Sequence, residues 1–492
     1  VMAIFPYSGE SMPPMYGDFE AQRHWMEITT ALPVQQWYEN STENDLLYWG
    51  LDYPPLTAYH SYLLGLAGHA FVPECFELRT SRGHQSERCR VFMRASVVVS
   101  DLLVYLPGSY CAIWGLAHRA EPVGGRVAAV LLLWLLPPLL LIDHGHFQYN
   151  GVCFGLCLAA AGCVAQGRKL AAGVLFTSAL LFKQIALYFA PAFFFGILAL
   201  CWRQSGGGLV AAAGHVAMTG AVVLSTIALL FLPWLLAPQP VAAVLQVIHR
   251  MFPFARGLYE DKVANVWCSI SVLIKLHRIV PASRVPLVCA TFTLAALLPA
   301  NVCCLRTARS GGGGGGGGGA FVAALVSSSL AFFLFAFQVH EKSILFPCVA
   351  MCLLPIAVGP GRRPPWAAAA SHHFFLACLF SMFPLVVKDK LQVPYAALAL
   401  LLALLSEACP APGLLRAAHR ASYAAGAVLH AVHALVPPPT RYPDAWTLLI
   451  TGSSCAYFVL CLLAVTAAQA VGLFEAGTRD SEVKEEKRKK IA

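Results

Sequence analysis

The sequence predicts an all-α membrane protein whose chain crosses the bilayer many times. Its 492 residues have a mean hydropathy of +0.65, with 58% hydrophobic and only 12% charged residues. Apolar stretches of about 17–25 residues, the length that crosses a bilayer as a helix, recur along the chain. Because backbone inside lipid must satisfy its own hydrogen bonds, repeated stretches of this kind indicate a bundle of transmembrane helices.

Residues 1–91 depart from this apolar pattern, and we expect them to form a large loop outside the membrane. They contain eleven acidic and five basic residues, together with the chain's one N-x-[ST] sequon, Asn40-Ser41-Thr42. A sequon of this type is a candidate glycosylation site when its loop is lumenal. Cys75 and Cys89 lie in the same polar region and could pair in a disulfide if that region is lumenal, which the sequence leaves open.

Thirteen apolar segments within residues 92–472 are candidates for crossing the membrane. The further segment 265–276 is short, and we expect it to re-enter the membrane or to lie at its surface. The candidate spans are 92–116, 127–142, 150–166, 170–182, 185–201, 209–235, 285–305, 320–338, 343–358, 366–386, 393–408, 421–437 and 446–472. Thirteen crossings place residues 1–91 on the side of the membrane opposite to the C-terminal tail.

Basic residues in the loops indicate which side of the membrane each loop occupies. Loops that follow alternate spans carry most of the arginines, as expected of cytosolic loops. These basic positions are Arg119, Arg126, Arg168, Lys169, Arg203, Arg306, Arg309, Arg362, Arg363, Arg416 and Arg420. The loops on the opposite, lumenal side are 143–150, 182–184, 237–284, 338–343, 387–392 and 438–446. The net charge of +9 therefore reflects membrane orientation, and no basic helix interleaved with aromatic residues indicates a nucleic-acid partner.

The tail, residues 473–492, ends in EVKEEKRKKIA. Lys489 and Lys490 stand fourth and third from the end, the spacing of a dilysine retrieval signal that cytosolic coat proteins bind. A generic solvated charged tail is the simpler alternative. We expect the retrieval signal, and with it a cytosolic C-terminus and residence in the endoplasmic reticulum membrane.

Polar residues collect at the predicted lumenal ends of the spans rather than along their length. The five clusters are GDFEAQRHW (17–25), YWGLDYPPLTAYH (48–60), DHGHFQYN (143–150), HRMFPFARGLYEDKVANVW (249–267) and QVHEKS (338–343). A single cluster would be an ordinary solvated loop, but five on one face indicate a shared pocket. His144 and His146 would supply two ligands of a metal site, yet no third ligand is evident, so we interpret them as structural.

The residue types in these clusters suit a sugar donor linked to a lipid phosphate. Carboxylates act as general bases or orient hydroxyl groups. Arginine, lysine and histidine side chains bind phosphate and neutralise its charge. Aromatic side chains that offer flat faces to sugar rings are Trp25, Trp37, Tyr38, Tyr48, Trp49 and Tyr53.

Several long motifs together resemble the dolichyl-phosphate-glucose-dependent α-1,3-glucosyltransferases of the endoplasmic reticulum. They are GDFEAQRHW, LPVQQWY, YWGLDYPPLTAYHS, SRG (81–83), FMR (92–94), DHGHFQYN, FKQIALYFAP, FPFARGLYEDKVANVWC and FQVHEKSIL. The resemblance covers nearly the whole chain. Gly50 and the run 56–60 favour the member that adds the first glucose to a nine-mannose lipid-linked oligosaccharide over the sister enzyme that adds the second.

The resemblance implies a GT-C glycosyltransferase fold and an inverting mechanism that needs no metal or other cofactor. Asp18, the aspartate of the GDFE motif, would be the catalytic base for the 3-hydroxyl of the terminal mannose. His340 and Lys342, with Arg250, Arg256 or Lys262, are candidates to bind the donor phosphate, while Asp52 and Glu341 would orient sugars or those basic residues. The remaining candidate substrate-binding residues are Glu20, Arg23, His24, Tyr53, His146, Gln148, Asn150, Lys183 and Gln184.

The same resemblance names the partners and leaves alternatives open. The substrates would be dolichyl-phosphate-glucose and a dolichyl-diphosphate-linked oligosaccharide, inside a lipid bilayer. The family begins with a span ahead of the GDFE loop that is absent here, so the full protein is expected to have about fourteen spans. A lipid-linked sugar transporter or a non-catalytic protein of the glycosylation machinery is an alternative of another class. A transporter would need polar groups at the membrane midplane and on both faces, which this sequence lacks.

Overall fold

The computed structural model describes residues 4–252, 262–271, 274, 279–309 and 318–474, and these are helical without a β-strand. The part of residues 1–91 that the structure describes, called the first region below, contains α1 (Gly17–Ala31) and α2 (Pro55–Phe71). The other α-helices are α3 (Glu87–Ser100), α4 (Leu106–Leu116), α5 (Val123–Trp134), α6 (Pro137–Leu139), α7 (Asn150–Ala165), α8 (Lys169–Phe182), α9 (Ala190–Gln204), α10 (Leu209–Leu230), α11 (Leu232–Leu235), α12 (Pro240–Met251), α13 (Val266–Ile270), α14 (Val285–Arg309), α15 (Gly318–Phe335), α16 (Leu345–Val358), α17 (Ala367–Ser381), α18 (Phe383–Lys388), α19 (Gln392–Ala408), α20 (Gly413–Leu435) and α21 (Ala445–Ala470).

Eight helical segments of the described chain are long and apolar enough to cross a membrane. They are Glu87–Leu116, Val123–Phe147, Gln184–Gln204, Leu209–Leu230, Ala282–Thr307, Gly318–Phe335, Glu341–Val358 and Ala445–Ala470. The predicted all-α membrane architecture is thereby confirmed.

The predicted number of thirteen spans is not reached by length and apolarity alone. Four of the predicted spans correspond to shorter apolar helices, namely α7, α8, α17 and α19. The span predicted at 421–437 lies in α20, which also carries Arg416, Arg420 and three histidines. Within 265–276, which is described only in part, the structure contains α13, a helix of five residues that is too short to cross.

Loops that the charge pattern assigns to one side of the membrane do meet in space. Side chains from residues 1–91, 143–150, 182–184, 338–343 and 387–392 form hydrogen bonds with one another at one end of the bundle. Loops assigned to the other side also pair, since Arg363 Nη2 donates to Glu121 Oε2 over 3.2 Å. These contacts agree with the predicted alternation of loops, while the full topology and the identity of the lumenal end stay predictions.

Two π-helical segments bring polar residues to the bundle end that carries the candidate site. One, Asp101–Tyr105, joins α3 to α4, and the other, Leu140–Phe147, continues α6 toward α7. The wider π turn disrupts the regular α-helical hydrogen-bond pattern, and such turns occur often at functional sites. The segments contact each other through His144 Nε2, which lies 2.9 Å from Asp101 Oδ2.

The first region has its own buried pair of cysteines. Cys75 and Cys89 are both fully shielded from solvent. The Ser86 hydroxyl caps the first turn of α3 by accepting from the Cys89 amide at 3.2 Å, and it lies 4.0 Å from the Cys75 thiol. Both cysteines are free thiols in the structure, and whether they pair is open to test.

Candidate active site

Asp18 lies at the point where the first region meets the bundle. Three side chains approach its Oδ2 atom: Lys342 Nζ at 2.5 Å, Gln148 Nε2 at 2.5 Å and His146 Nε2 at 3.0 Å. The side chain of Asp18 is 24% exposed, whereas those of His146 and Lys342 are 3% and 16% exposed. The three contacts therefore hold the carboxylate through Oδ2, while part of the side chain remains accessible to solvent.

The backbone before Asp18 explains how the carboxylate is placed. Tyr16 and Gly17 both have left-handed φ values, of 56° and 69°, and α1 starts at Gly17, the second of these residues. A Cβ atom on Gly17 would lie 2.5 Å from the Ser8 carbonyl oxygen, so only glycine fits there. Asp18 thus occupies the first turn of α1, where the helix dipole favours a negative charge.

The charges around Asp18 keep it ionised. Burial works against the charged form, but the Lys342 ammonium and His146 outweigh that effect and lower the pKa of Asp18 well below its usual range. A carboxylate in this state is ionised at any physiological pH, so it carries no proton that must leave before it can act as a base. The arrangement therefore suits a general base that acts on a neutral hydroxyl group.

His146 has a second carboxylate partner that the sequence analysis did not select. Its Nδ1 atom lies 2.5 Å from Oδ2 of Asp389, a residue 4% exposed that directly follows α18. Asp389 belongs to the short loop VKDKLQ, which the charge pattern had already assigned to the same side as His146. The sequence of this short turn does not indicate that Asp389 is buried, because its burial depends on tertiary packing.

Arg94 fixes the backbone of the turn that carries His146. Its guanidinium donates to the carbonyl oxygens of His144 and Gly145, the latter at 3.0 Å, and to those of Phe5 and Pro6. A buried guanidinium with several donors can satisfy carbonyls that a π-helical turn leaves without partners. In the sequence, Arg94 stands out only as the last residue of the FMR motif. The structure shows that it also stabilises the turn that carries His146.

Lys183 occupies the other side of Gln148. Its ammonium donates to Gln148 Oε1 at 3.1 Å and to Asn150 Oδ1 at 2.6 Å, and it lies 4.8 Å from the centre of the Tyr53 ring. Burial lowers the pKa of Lys183, while nearby carboxylates, Asp143 first among them, partly restore it. Lys183, Gln148 and Tyr53 also line a small gap in the packing that is too narrow for a water molecule.

A separate buried cluster stabilises the first region. Arg23 forms a two-point contact with Glu20, at 2.7 and 2.6 Å, and a further contact with Glu27 at 2.7 Å. His24 Nδ1 lies 3.0 Å from Glu27, and Tyr48 donates to Glu20 at 2.8 Å. Burial alone would raise the pKa of Glu27, but His24 and Arg23 lower it to about 2. The predicted substrate-binding residues Glu20, Arg23 and His24 are thus inside the loop, almost fully shielded from solvent.

The remaining predicted residues lie around the rim of the site or outside it. Gln184 donates to the carbonyl oxygens of Asp52 and Met251, and Arg250 donates to those of Gly50 and Leu51.

Three further candidates belong to the segment 338–343 or to the loop after α12. The imidazole ring of His340 lies next to the carboxylate of Glu341, with 3.2 Å between His340 Nδ1 and Glu341 Oε2. Lys262 forms an exposed ion pair with Asp444. Arg256 lies outside the described residues, as do Lys489 and Lys490 of the tail.

Within the described ranges, no three histidine, cysteine, aspartate or glutamate side chains are arranged as a metal-binding group. His146 contacts both Asp18 and Asp389, but through opposite nitrogens of its ring. Independence from metal stays a prediction.

Comparison with known proteins identifies the family. A model of the ALG6, ALG8 glycosyltransferase family matches residues 3–464. A Drosophila melanogaster protein named probable dolichyl pyrophosphate Man9GlcNAc2 alpha-1,3-glucosyltransferase is 42% identical over 469 residues, covering 94% of each chain.

Two proteins with the corresponding name, without the word probable, are also similar to this chain. The Gallus gallus protein is 40% identical over 94% of this chain and 92% of its own length. The Saccharomyces cerevisiae protein is 36% identical over 94% of this chain and 86% of its own length. Since the family model and these relatives span nearly the whole sequence, the chain belongs to the ALG6, ALG8 glycosyltransferase family.

Proposed function

We propose that this protein transfers glucose from dolichyl-phosphate-glucose to the terminal mannose of the dolichyl-diphosphate-linked Man9GlcNAc2 oligosaccharide, forming an α-1,3 bond. The observation that carries the proposal is the convergence of Lys342, Gln148 and His146 on one oxygen of Asp18. The names of the similar proteins support this choice of acceptor.

Asp18 acts as the base in a single displacement. It takes the proton of the mannose 3-hydroxyl while that oxygen forms a bond to C1 of the glucose. The bond between C1 and the phosphate oxygen breaks on the opposite face, so the β-linked donor gives an α-linked product. Dolichyl phosphate leaves as a stable anion, and therefore a strong general acid is not needed.

The acceptor hydroxyl approaches Oδ1, the second carboxylate oxygen of Asp18. In the described part of the chain, the three contacts to the carboxylate all go to Oδ2. Such one-sided binding leaves Oδ1 to face the acceptor. It also prevents the carboxylate from rotating, which keeps the base within reach of the reacting hydroxyl.

His340 is our choice for the donor phosphate among the described candidates. It directly precedes the helical turn that carries Lys342 and interacts electrostatically with Asp18. The Arg250 guanidinium already donates to two backbone carbonyls, and Lys262 is paired with Asp444. Lys342 neutralises Asp18 and, from the same position, contributes positive charge toward the leaving phosphate.

The proposed location is the endoplasmic reticulum membrane, with residues 1–91 and the site on the lumenal side and the dilysine tail in the cytosol. Asn40 is exposed on the first region, so a lumenal loop would present its sequon to the glycosylation machinery. Loss of an endoglycosidase-sensitive mass shift in Asn40→Gln tests the side directly. A protein whose Asn40 stays unmodified in cells, and whose tail is protected when protease is added to sealed microsomes, would contradict the orientation.

The proposed reaction is tested with purified protein, synthetic dolichyl-phosphate-glucose and acceptors that carry either no glucose or one glucose. We expect transfer to the unglucosylated acceptor, whereas preference for the monoglucosylated acceptor would identify the sister activity instead. Asp18→Asn should lower the rate by about 10²–10⁴-fold, the usual worth of a general base. Near wild-type transfer by folded Asp18→Asn would refute the assignment of the base.

The same assay tests the proposed independence from metal. We expect EDTA to leave the rate unchanged, because the negative charge of the leaving phosphate would be met by lysine and histidine side chains. Strong inhibition that manganese reverses would instead indicate a metal bound near Asp18 and Glu20.

A further inference from the structure

A second carboxylate reaches the candidate site through the ring of His146. Asp389 Oδ2 is 2.5 Å from Nδ1, and Asp18 Oδ2 is 3.0 Å from Nε2 of the same ring. The contact with Asp389 is shielded from water, since Asp389 is 4% and His146 2% exposed. The partner on one nitrogen sets the tautomer and orientation of an imidazole, and so decides what the other nitrogen can do.

We propose that Asp389 is a positioning residue for the transfer reaction, which binds the Nδ1 side of His146 and through that ring fixes the orientation and basicity of Asp18. The inference rests on the proposed function, because it concerns the same reaction. Asp389 itself is separated from Asp18 by the whole imidazole ring, so it acts without touching the reacting atoms.

The charges that face His146 come from three different parts of the chain: residues 1–91, 338–343 and 387–392. Asp389 and Asp18 favour the protonated ring, whereas Lys342, with Nζ 2.9 Å from Nε2, opposes it. His340 interacts with the same group of charges and opposes protonation of His146 when it is itself charged. Without Asp389 the balance moves toward a neutral ring, which stabilises the Asp18 carboxylate less than an imidazolium does.

The backbone at both ends of this contact is strained. Phe147, which follows His146, has φ of 92°, and Lys390, which follows Asp389, has φ of 58°. Non-glycine residues in this region are energetically unfavourable and occur preferentially at functional sites. Two unfavourable conformations on either side of one hydrogen bond indicate that the geometry of that bond matters.

The test compares Asp389→Asn with Lys388→Gln, a control on the exposed neighbouring lysine, in the glucose-transfer assay over a range of pH. Asp389→Asn is expected to lower kcat/KM on the order of 10²-fold, as for other residues that orient a catalytic histidine or a ligand. The acidic limb of its pH profile should move to higher pH, a change that a merely structural role would not produce. Lys388→Gln should match the wild type in both respects.

A double-mutant cycle with His146→Ala shows whether Asp389 acts through the ring. In the His146→Ala background, Asp389→Asn should change the remaining rate by less than about threefold, since coupled residues are not additive. Full additivity, or a folded Asp389→Asn with wild-type rate and pH profile, would overturn the proposal.

A second variant and a wild-type control keep the result interpretable. If Asp389→Asn does not fold, Asp389→Glu replaces it: the longer side chain displaces the ring, so a smaller shift of the acidic limb in the same direction is expected, and an unchanged limb overturns the inference. Glucose transfer by the wild type is measured in the same experiment. Its absence would refute the proposed function, whereas wild-type transfer with an indifferent Asp389→Asn refutes the positioning role alone.

Discussion

Replacing Lys342 by methionine tests the electrostatic description of the site. Methionine is close to lysine in length and removes the ammonium that lies 2.5 Å from Asp18 Oδ2. A hydrogen bond to a charged group contributes about 1.5–3 kcal/mol. If that energy is lost from the transition state, kcat/KM falls roughly 10–150-fold.

The pH profile gives the sign of the effect. In the wild type the Lys342 ammonium is one of the groups that lower the pKa of Asp18. Its loss leaves the desolvation of the carboxylate less opposed, so Asp18 is protonated at a higher pH. The acidic limb of kcat/KM should therefore move to higher pH in Lys342→Met.

The measurement uses initial rates of glucose transfer across the acidic and neutral range, with Lys342→Arg as the variant that keeps the charge. Lys342→Arg should lose rate, because its guanidinium is larger, but it should keep the acidic limb near the wild-type position. A folded Lys342→Met with an unshifted limb and a loss below about threefold would show that the ammonium does not control Asp18.

Three further outcomes follow from the first region. Gly17→Ala should reduce the free energy of unfolding by about 1–3 kcal/mol and impair transfer, since a left-handed residue acquires a Cβ atom; thermal unfolding in detergent checks this, and an unchanged midpoint would contradict it. Arg23→Met should lower the free energy of unfolding by about 3–5 kcal/mol, because it removes the buried positive charge that pairs with Glu20 and Glu27, and a stability within about 1 kcal/mol of the wild type would be inconsistent. Cys75 and Cys89 should appear as one disulfide-linked peptide pair in a non-reduced digest of protein from microsomes; alkylation of both thiols without prior reduction would exclude the bond.

The sequence was informative wherever local chemistry decided the outcome. Hydropathy predicted the helical bundle, and the alternation of basic loops predicted which loops would meet. Six candidate residues do come together at one end of the bundle, namely Asp18, His146, Gln148, Asn150, Lys183 and Lys342.

Proximity along the chain was a poorer guide within α1. Glu20 and Arg23 are close to Asp18 in sequence, but a helix rotates by roughly 100° per residue, so these side chains leave on other faces. The structure places them in the buried cluster with Glu27 instead. Without a known helix register, the sequence does not show that Asp18 lies on a different face of α1 from Glu20 and Arg23.

Contacts between distant segments were beyond the sequence for a different reason. Asp389 is 243 positions from His146, and its surroundings in the chain are those of an ordinary charged turn. Arg94 likewise obtains its role from four carbonyl oxygens in other segments. Such roles arise from tertiary packing, which hydropathy and residue spacing do not encode.

The span of the contact between Asp18 and Lys342 has a consequence for how the protein is made. The two residues are 324 positions apart, so Asp18 is synthesised long before the lysine that binds its carboxylate. The first region carries its own buried Arg23 cluster, and it can therefore fold around that cluster while the later helices are still being translated. The Asp18 carboxylate has all three of its side-chain partners only after Lys342 has entered the bundle, so a nascent chain that stops earlier contains the Arg23 cluster but an incomplete candidate site.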